Sequence, residues 1–323
     1  MANELQSATS FIYDRSVSER FPTVGVIGAS QHARMMVAPA AALGVRLRLF
    51  AQSSQDSGAQ ICEHVIGDYK DLESLKKFAH DCDVITFEHG LISVPAVKGL
   101  ESSGVRVYPP SSAFMISELL PEGPITFDLE ISVMVARSPH GQATSWSPTE
   151  TIREDGICTL TITPASSITP MMAEKAQQFA LDFAHNASVV GVMAVEMGIK
   201  GENIYLNDIT MHPHDFGLWT IDGSKTSQYE QHLRAILDLP LGDPSMTSDF
   251  AVMGKILAGD KTDMYRPYLH LMARNPDLKF HQYKNEVRPG HTTGHVTRTG
   301  SDLRQLTIDV QHARDYMSGT IDE

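Results

Sequence analysis

From residue 23 onward the chain alternates short β-branched runs with amphipathic stretches, and nothing else in it constrains the fold as tightly. Thr23 to Ile27 (TVGVI) is an unbroken apolar run that stops at Gly28, and an apolar-rich segment follows from Gln31 to Leu43. A strand, a tight turn and a helix are predicted. The alternation continues with strands at Val45 to Phe50, His64 to Gly67, Asp83 to Phe87 and Val105 to Tyr108, and with helices at Asp71 to His80 and Val94 to Ser102. Strands joined by helical crossovers pair in parallel, so residues 22–112 are expected to form an α/β unit: an open parallel sheet with helices on its faces.

The pattern then changes. Glu130 to Ala136, Ala143 to Trp146 and Cys158 to Ile162 alternate polar and apolar positions between Gly, Pro and Asp turns, which predicts antiparallel strands. A helix from Pro170 to His185 precedes two strands, Val189 to Met197 and Ile204 to Asn207, joined through Gly198, Gly201 and Asn203. Residues 113–262 therefore read as an α+β unit. Residues 263–323 read as a small β-rich unit, with short strands around His281 to Tyr283 and Gly294 to Thr297 and a closing helix from Ser301 to Met317. Residues 1–21 form a polar leader.

Lys and Arg number 26 against 39 Asp and Glu, a formal charge of −13. That balance disfavours non-specific binding to nucleic acid or to an anionic membrane, so neither is expected as a partner, and a phosphorylated substrate would need a local basic patch. No window holds a spanning apolar run and the leader has no apolar core, so the cytoplasm is the expected compartment. Cys62, Cys82 and Cys158 are far apart with no C-x-x-C, which predicts reduced, mostly buried thiols.

The most specific chemical feature is the hairpin carrying Glu196 and Asp208. Each acid ends an otherwise apolar strand, and a hairpin centred near Glu202 places them opposite each other. Two converging carboxylates call for a cation between them, and hard oxygen ligands suit Mg²⁺ bridging nucleotide phosphates. Two solvated strand-end acids would give the same pattern. The turn Gly28-Ala29-Ser30-Gln31 offers backbone N–H groups at a helix N-terminus, where a phosphate could sit, although an ordinary βα turn looks alike. There is no phosphate-binding P-loop, no nucleophile elbow, and no zinc spacing among the 14 histidines, although His212 and His214 follow Asp208 closely enough to meet a ligand. Lys284 to His291 forms a basic turn in an acidic chain, in which Lys284 and Arg288 could meet a phosphate or simply face solvent.

Several stretches, taken in order, resemble the 5-(carboxyamino)imidazole ribonucleotide synthase family of the ATP-grasp superfamily. They are VGVIGASQHARMM from Val24, DVITFEH from Asp83, VARSPHGQ from Val135, DGIC from Asp155, VVGVMAVE from Val189, YLNDITMHPHDFGLWTIDG from Tyr205, TSQYEQHLRAILDLPLGD from Thr226 and EVRPGHTTGHV from Glu286. The resemblance implies a Rossmann-like preATP-grasp domain, a truncated α+β ATP-grasp domain and a small β-rich C-terminal domain, assembled as a homodimer. It implies ATP and Mg²⁺ as cofactors, with bicarbonate and 5-aminoimidazole ribonucleotide as substrates. Glu196 and Asp208 match the metal-binding acids, and His214 falls in the same catalytic stretch. Glu118, Glu130 and Asn207 fall on the nucleotide side, and Gly28, Gln31, Glu88, Lys284 and Arg288 on the ribonucleotide side.

The departures are equally specific. Between Pro110 and Glu130 the chain has only about 20 residues, where the family carries a whole subdomain with the Gly-rich lid and the phosphate-holding lysines. Asp208 stands where Glu is usual, and Ala29 and Ser30 where glycines are usual. Asp215, Phe216 and Leu218 replace an N-S-G-H run, and His291 and Thr292 an Arg-Lys pair. From these changes Asp215 is expected to repel a phosphorylated substrate, and Phe216 and Leu218 to make the pocket apolar. Three readings follow: a working synthase, a non-catalytic paralogue that binds or regulates, and a ligase for a different small substrate.

Overall fold

The computed structural model describes residues 20–117, 126–154, 156–259 and 263–321. Its N-terminal sheet has five parallel strands in the order β3-β2-β1-β4-β5. These are β1 (Thr23–Ile27), β2 (Arg46–Ala51), β3 (His64–Ile66), β4 (Val84–Phe87) and β5 (Val107–Tyr108). Helices α1 (Gln31–Ala42), α2 (Leu72–Ala79) and α3 (Val94–Ser102) follow β1, β3 and β4, and α4 (Ser111–Ser117) leads away from β5. Every residue of β1 and β4 is buried, as a central parallel strand covered on both faces requires. Val24 and Val26 pack with Ala33 and Met36 of α1, while Ile27 and Phe87 pack with Leu75, Phe78 and Val97 on the other face. Each fully buried side chain of this size contributes roughly 1.5–3 kcal/mol.

The second sheet is antiparallel throughout, in the order β11-β10-β6-β8-β9-β12-β14-β13, with β7 paired to β6. Its strands are β6 (Leu129–Arg137), β7 (Ala143–Ser145), β8 (Thr149–Glu154), β9 (Ile157–Thr163), β10 (Gly191–Lys200), β11 (Asn203–Thr210), β12 (Phe250–Leu257), β13 (Lys279–Gln282) and β14 (Thr292–Gly300). The helices are α5 (Pro170–Asn186), α6 (Thr220–Gly223), α7 (Gln228–Ile236), α8 (Arg266–Arg274) and α9 (Leu303–Ser318). Strands β13 and β14 do not stand apart, because β12 pairs with β9 on one side and with β14 on the other. One continuous sheet therefore carries the strands expected in both later units.

Side-chain alternation along β10 decides where the chemistry faces. Met193, Val195 and Met197 lie in the cluster covered by Ala176, Ala180 and Ala184 of α5. Val192 and Ala194 face the opposite way, into a cluster shared with Leu233 and Ile236 of α7 and with Ala33 and Met36 of α1. Glu196 continues this second face, toward the N-terminal sheet. Helix α9 covers β12 and β14 through Leu306 and Val310. It starts at Asp302, whose carboxylate accepts from the Gln305 N–H at 3.1 Å, and stops at left-handed Gly319. All three cysteines are free, but only Cys158 is fully buried; Cys62 and Cys82 are half-buried. No described helix is long and apolar enough to cross a membrane.

Candidate active site

The β1–α1 turn is built around Glu88, which follows β4 and is 1% exposed. Its Oε1 accepts from the Ser30 N–H at 2.8 Å, its Oε2 from the Ala33 N–H at 3.2 Å, and the Ser30 hydroxyl donates to it as well. The expectation that this turn offers free N–H groups is therefore corrected for Ser30 and for the neighbouring Ala33, whose N–H groups Glu88 occupies. A buried carboxylate without a cation must be solvated by donors, and Glu88 takes those of Ser30 and Ala33 at the helix N-terminus. Burial still leaves its proton affinity raised. Ala29 belongs to the core and the Ser30 hydroxyl bonds Glu88, and both residues also line the cavity beside the turn.

Gly28 is what lets Glu88 approach. Its φ is +120°, and a Cβ there would lie 2.4 Å from Glu88 Cγ. Gly28→Ala is expected to cost about 1–3 kcal/mol through backbone strain and displacement of Glu88. A thermal melt checks this; an unchanged Tm would contradict it.

A cavity of about 840 Å³ opens beside the turn, lined among others by Ser30, Gln31, Glu88, His89 and Lys284. An adjoining hollow of about 480 Å³ shares Gln31 and reaches Arg288, His291 and Thr292. The structure thus brings Gln31, Glu88, Lys284 and Arg288 to one region, with Gly28 behind Glu88. The connection after β13 is pinned by the loop after β2: Ser57 donates to the Tyr283 carbonyl at 2.5 Å, and Gln60 to that of Lys284 at 3.1 Å. Arg288 itself is held by Glu286 at 2.5 Å.

On the second sheet, Glu196 and Asp208 are direct register partners, opposite each other as expected, although a bulge rather than the symmetry of the turn brings them there. A β-bulge adjoins them: Leu206 pairs with Met197 and Asp208 with Glu196, leaving Asn207 as the extra residue. Arg153 of β8 donates from Nη2 to Glu196 at 2.7 Å and from Nε to Glu130 at 2.6 Å. Burial pushes the Glu196 carboxyl up to about 7, Arg153 opposing it and Asp208 adding to it. Asp208 is exposed, and one of its oxygens accepts from the Ile209 N–H at 2.7 Å. Glu118 lies outside the described residues.

A buried polar seam runs between these two regions. Asp215 pairs directly with Lys255 of β12, and His32, next to Gln31, lies 3.5 Å from its other oxygen. The His32 ring also meets the Tyr229 hydroxyl at 2.9 Å. His214 packs on Phe216 with ring centroids 4.4 Å apart, and the Arg153 guanidinium sits 5.6 Å from the same ring. Two expectations are corrected here. Asp215 is not an unbalanced charge, because Lys255 neutralises it. Phe216 and Leu218 are 2% and 0% exposed and belong to the core, so they do not make the pocket apolar. His214 is held with its pKa lowered to about 4, mainly by burial, and its Nδ1 has no partner among the described residues.

Arg153, Lys255 and His32 are the residues that sequence reasoning missed. Lys255 left a signal, a lone charge inside the apolar run FAVMGKIL. Arg153 left only its place beside a glycine turn.

Known proteins are similar to this chain in sequence and in fold. A ribonucleotide synthetase preATP-grasp domain model matches residues 21–118, and an ATP-grasp domain model matches residues 107–229. The N5-carboxyaminoimidazole ribonucleotide synthase of Mycobacterium tuberculosis is 31% identical over 92% of this chain and 88% of its own length. This chain belongs to the N5-carboxyaminoimidazole ribonucleotide synthase family. The Corynebacterium ammoniagenes synthase is 29% identical over 92% of each chain. In fold, the chain matches the Thermus thermophilus synthetase with a TM-score of 0.82 at 24% identity, over 93% of this chain and 99% of that one. An Aspergillus clavatus synthase solved with ADP and 5-aminoimidazole ribonucleotide gives the same figures. The α/β preATP-grasp sheet and the antiparallel ATP-grasp sheet are thus those of the synthase family. The 377 positions aligned with the mycobacterial synthase take in 92% of this 323-residue chain, so about 80 of them have no residue here.

Proposed function

We propose that this chain carboxylates 5-aminoimidazole ribonucleotide at its exocyclic amine, using ATP and bicarbonate and releasing ADP and phosphate. The observation that carries the reading is the Glu196–Asp208 register pair, whose acid on β10 continues the face that packs toward the N-terminal sheet. Bicarbonate is first activated by phosphoryl transfer, and the amine then attacks the activated carbon. Such chemistry depends on positioning and on neutralising charge.

The residues present fit a magnesium ion. Among the described residues no cluster of three or more His, Cys, Asp or Glu could hold a metal, but Mg²⁺ is commonly held by one or two carboxylates, with substrate phosphates and water completing its shell. Glu196 and Asp208 would hold it, and when bound it supplies positive charge to the transferred phosphoryl group. The shorter Asp208 side chain lies across the pair from Glu196, which burial already primes for a cation. Glu130 and Asn207 flank the nucleotide side, and Glu118 joins them by resemblance. Lys284 and Arg288 meet the ribonucleotide phosphate at the mouth of the cavity, while Gln31 and the Gly28–Glu88 turn shape its wall. His214, kept neutral by burial, offers an unprotonated nitrogen beside the seam. The protein works in the cytoplasm as a homodimer.

Phosphate release from ATP, with Mg²⁺ and bicarbonate, tests the reading. Release is expected to require the ribonucleotide and to fall at least about tenfold in Glu196→Gln, which removes one of the two carboxylates. A folded, monodisperse chain that releases no phosphate would sink it. The roughly 80 missing positions then favour the second reading, a relative that binds the ribonucleotide without turning it over.

A further inference from the structure

Arg153 has more to do than balance two acids. The ladder between β8 and β9 slips beside it, Ile152 facing Leu160 and Arg153 facing Cys158, with Thr159 of β9 as the extra residue, and the side chain reaches from β8 past Glu130 of β6 to Glu196 of β10. Its guanidinium divides its bonds. Nε is held by Glu130 at 2.6 Å, Nη2 reaches Glu196 at 2.7 Å, and Phe216 lies beneath. At 29% exposure the side chain can still be reached from solvent. Glu130, Glu196 and Asp208 set three carboxyl groups around this one guanidinium, which bonds only two of them. Ser132, the register partner of Glu196 on β6, is 1% exposed, and its hydroxyl has no partner among the described residues. Register partners point to one face, so an unsatisfied polar atom waits beside the acid pair.

We propose that Arg153 is a phosphate-binding residue that changes partner: Nη2 leaves Glu196 when a divalent cation arrives with a nucleotide and turns to the nucleotide's phosphates, while Nε stays on Glu130. Arg153 has this role only if cation and nucleotide meet at the Glu196–Asp208 pair, as proposed above. A planar fork can hold a carboxylate through one nitrogen and a phosphate through another. The exchange also makes cation and nucleotide mutually dependent. Without phosphates, Arg153 competes with the metal for Glu196; with them, that competition disappears.

Two binding constants on the full chain test this: Mn²⁺ alone by electron paramagnetic resonance, and ADP with Mg²⁺ by calorimetry. In Arg153→Gln, Mn²⁺ is expected to bind about fivefold or more tighter, because its competitor is gone, while ADP binds about fivefold or more weaker. Arg153→Lys, which keeps the charge and loses the fork, should leave Mn²⁺ near the parent value and still weaken ADP. Parallel weakening of both ligands in both variants would mean a merely structural role and overturn the proposal. Two unchanged constants, or a parent chain that binds no ADP, would overturn it as well. Opposite shifts in a chain without turnover would uphold Arg153's role and sink the proposed reaction alone.

Discussion

Replacing Lys255 by methionine is expected to destabilise the fold by up to about 3 kcal/mol, because it strands a carboxylate that is only 20% exposed. Lys255 is 8% exposed on β12 and pairs directly with Asp215. Burial works to raise the Asp215 proton affinity, but the Lys255 charge outweighs it, with help from His32, and the carboxyl is held well below the usual range. Methionine fills much of the lysine volume and removes only the charge. His32, 3.5 Å away, cannot take over, since burial keeps its own pKa near 4. Adding Asp215→Leu should recover most of the loss, as apolar replacement of a whole buried pair costs little. Urea unfolding followed by fluorescence of the buried Trp146 and Trp219 measures both steps. A single variant within about 1 kcal/mol of the parent would show that Asp215 is solvated and that the pair does not hold the seam.

That pair also shows what a sequence hides. Local order was legible wherever one pattern governed the segment. β1 and α3 have the bounds their apolar spacing predicts, and α3 carries its own punctuation in the Ser93 cap and Pro95. The rough opposition of Glu196 and Asp208 was legible because both lie on one hairpin that turns near Glu202. The bulge at Asn207 was not, since it depends on which face each neighbour buries. β12 escaped notice because Gly254 and Lys255 break an otherwise apolar run. Charge partners were the least legible feature. Asp215 finds Lys255 across 40 residues, Arg153 finds Glu196 across 43, and Ser30 finds Glu88 across 58. A sequence reading counts such groups as isolated charges, so Asp215 looked repulsive and the Ser30 N–H looked free. The fold cancels both, because an unpartnered buried polar group would cost more than ordering its partner.

Acidification is expected to unfold the chain with a midpoint near pH 5, well above the range in which ordinary carboxylates titrate. Six histidines carry the effect: burial lowers His89 and takes His295 well below the usual range, and four more follow the same course. Burial, the leading cause in each, lowers His32, His212 and His214 to about 4 and His232 to about 3. His232 shows why: its Nδ1 accepts from the Val192 N–H at 3.1 Å while its Nε2 bonds the Thr86 hydroxyl at 2.8 Å, so a second proton would face a donor. The unfolded chain takes up these protons near pH 6.5, and the folded chain refuses them until about pH 4. Stability is therefore complete above pH 6.5 and drains away as pH falls from 6.5 to 4. His32, His212, His214 and His232 each contribute about 3 kcal/mol at full loss, so the four together reach the order of 10 kcal/mol, comparable to the whole stability of a typical domain. Two groups oppose this. Glu196, raised to about 7, and Glu88, raised by burial, bind protons more readily when folded and so return part of the loss. Asp215 does not enter the window, because its depressed carboxyl stays ionised throughout. Tryptophan fluorescence and far-ultraviolet circular dichroism, followed from pH 7.5 to pH 3, read the midpoint. His32→Gln, which keeps a polar side chain but cannot charge, should move it downward. A parent chain that stays folded to below pH 4 would mean that solvent reaches these rings and that the seam is wet rather than sealed.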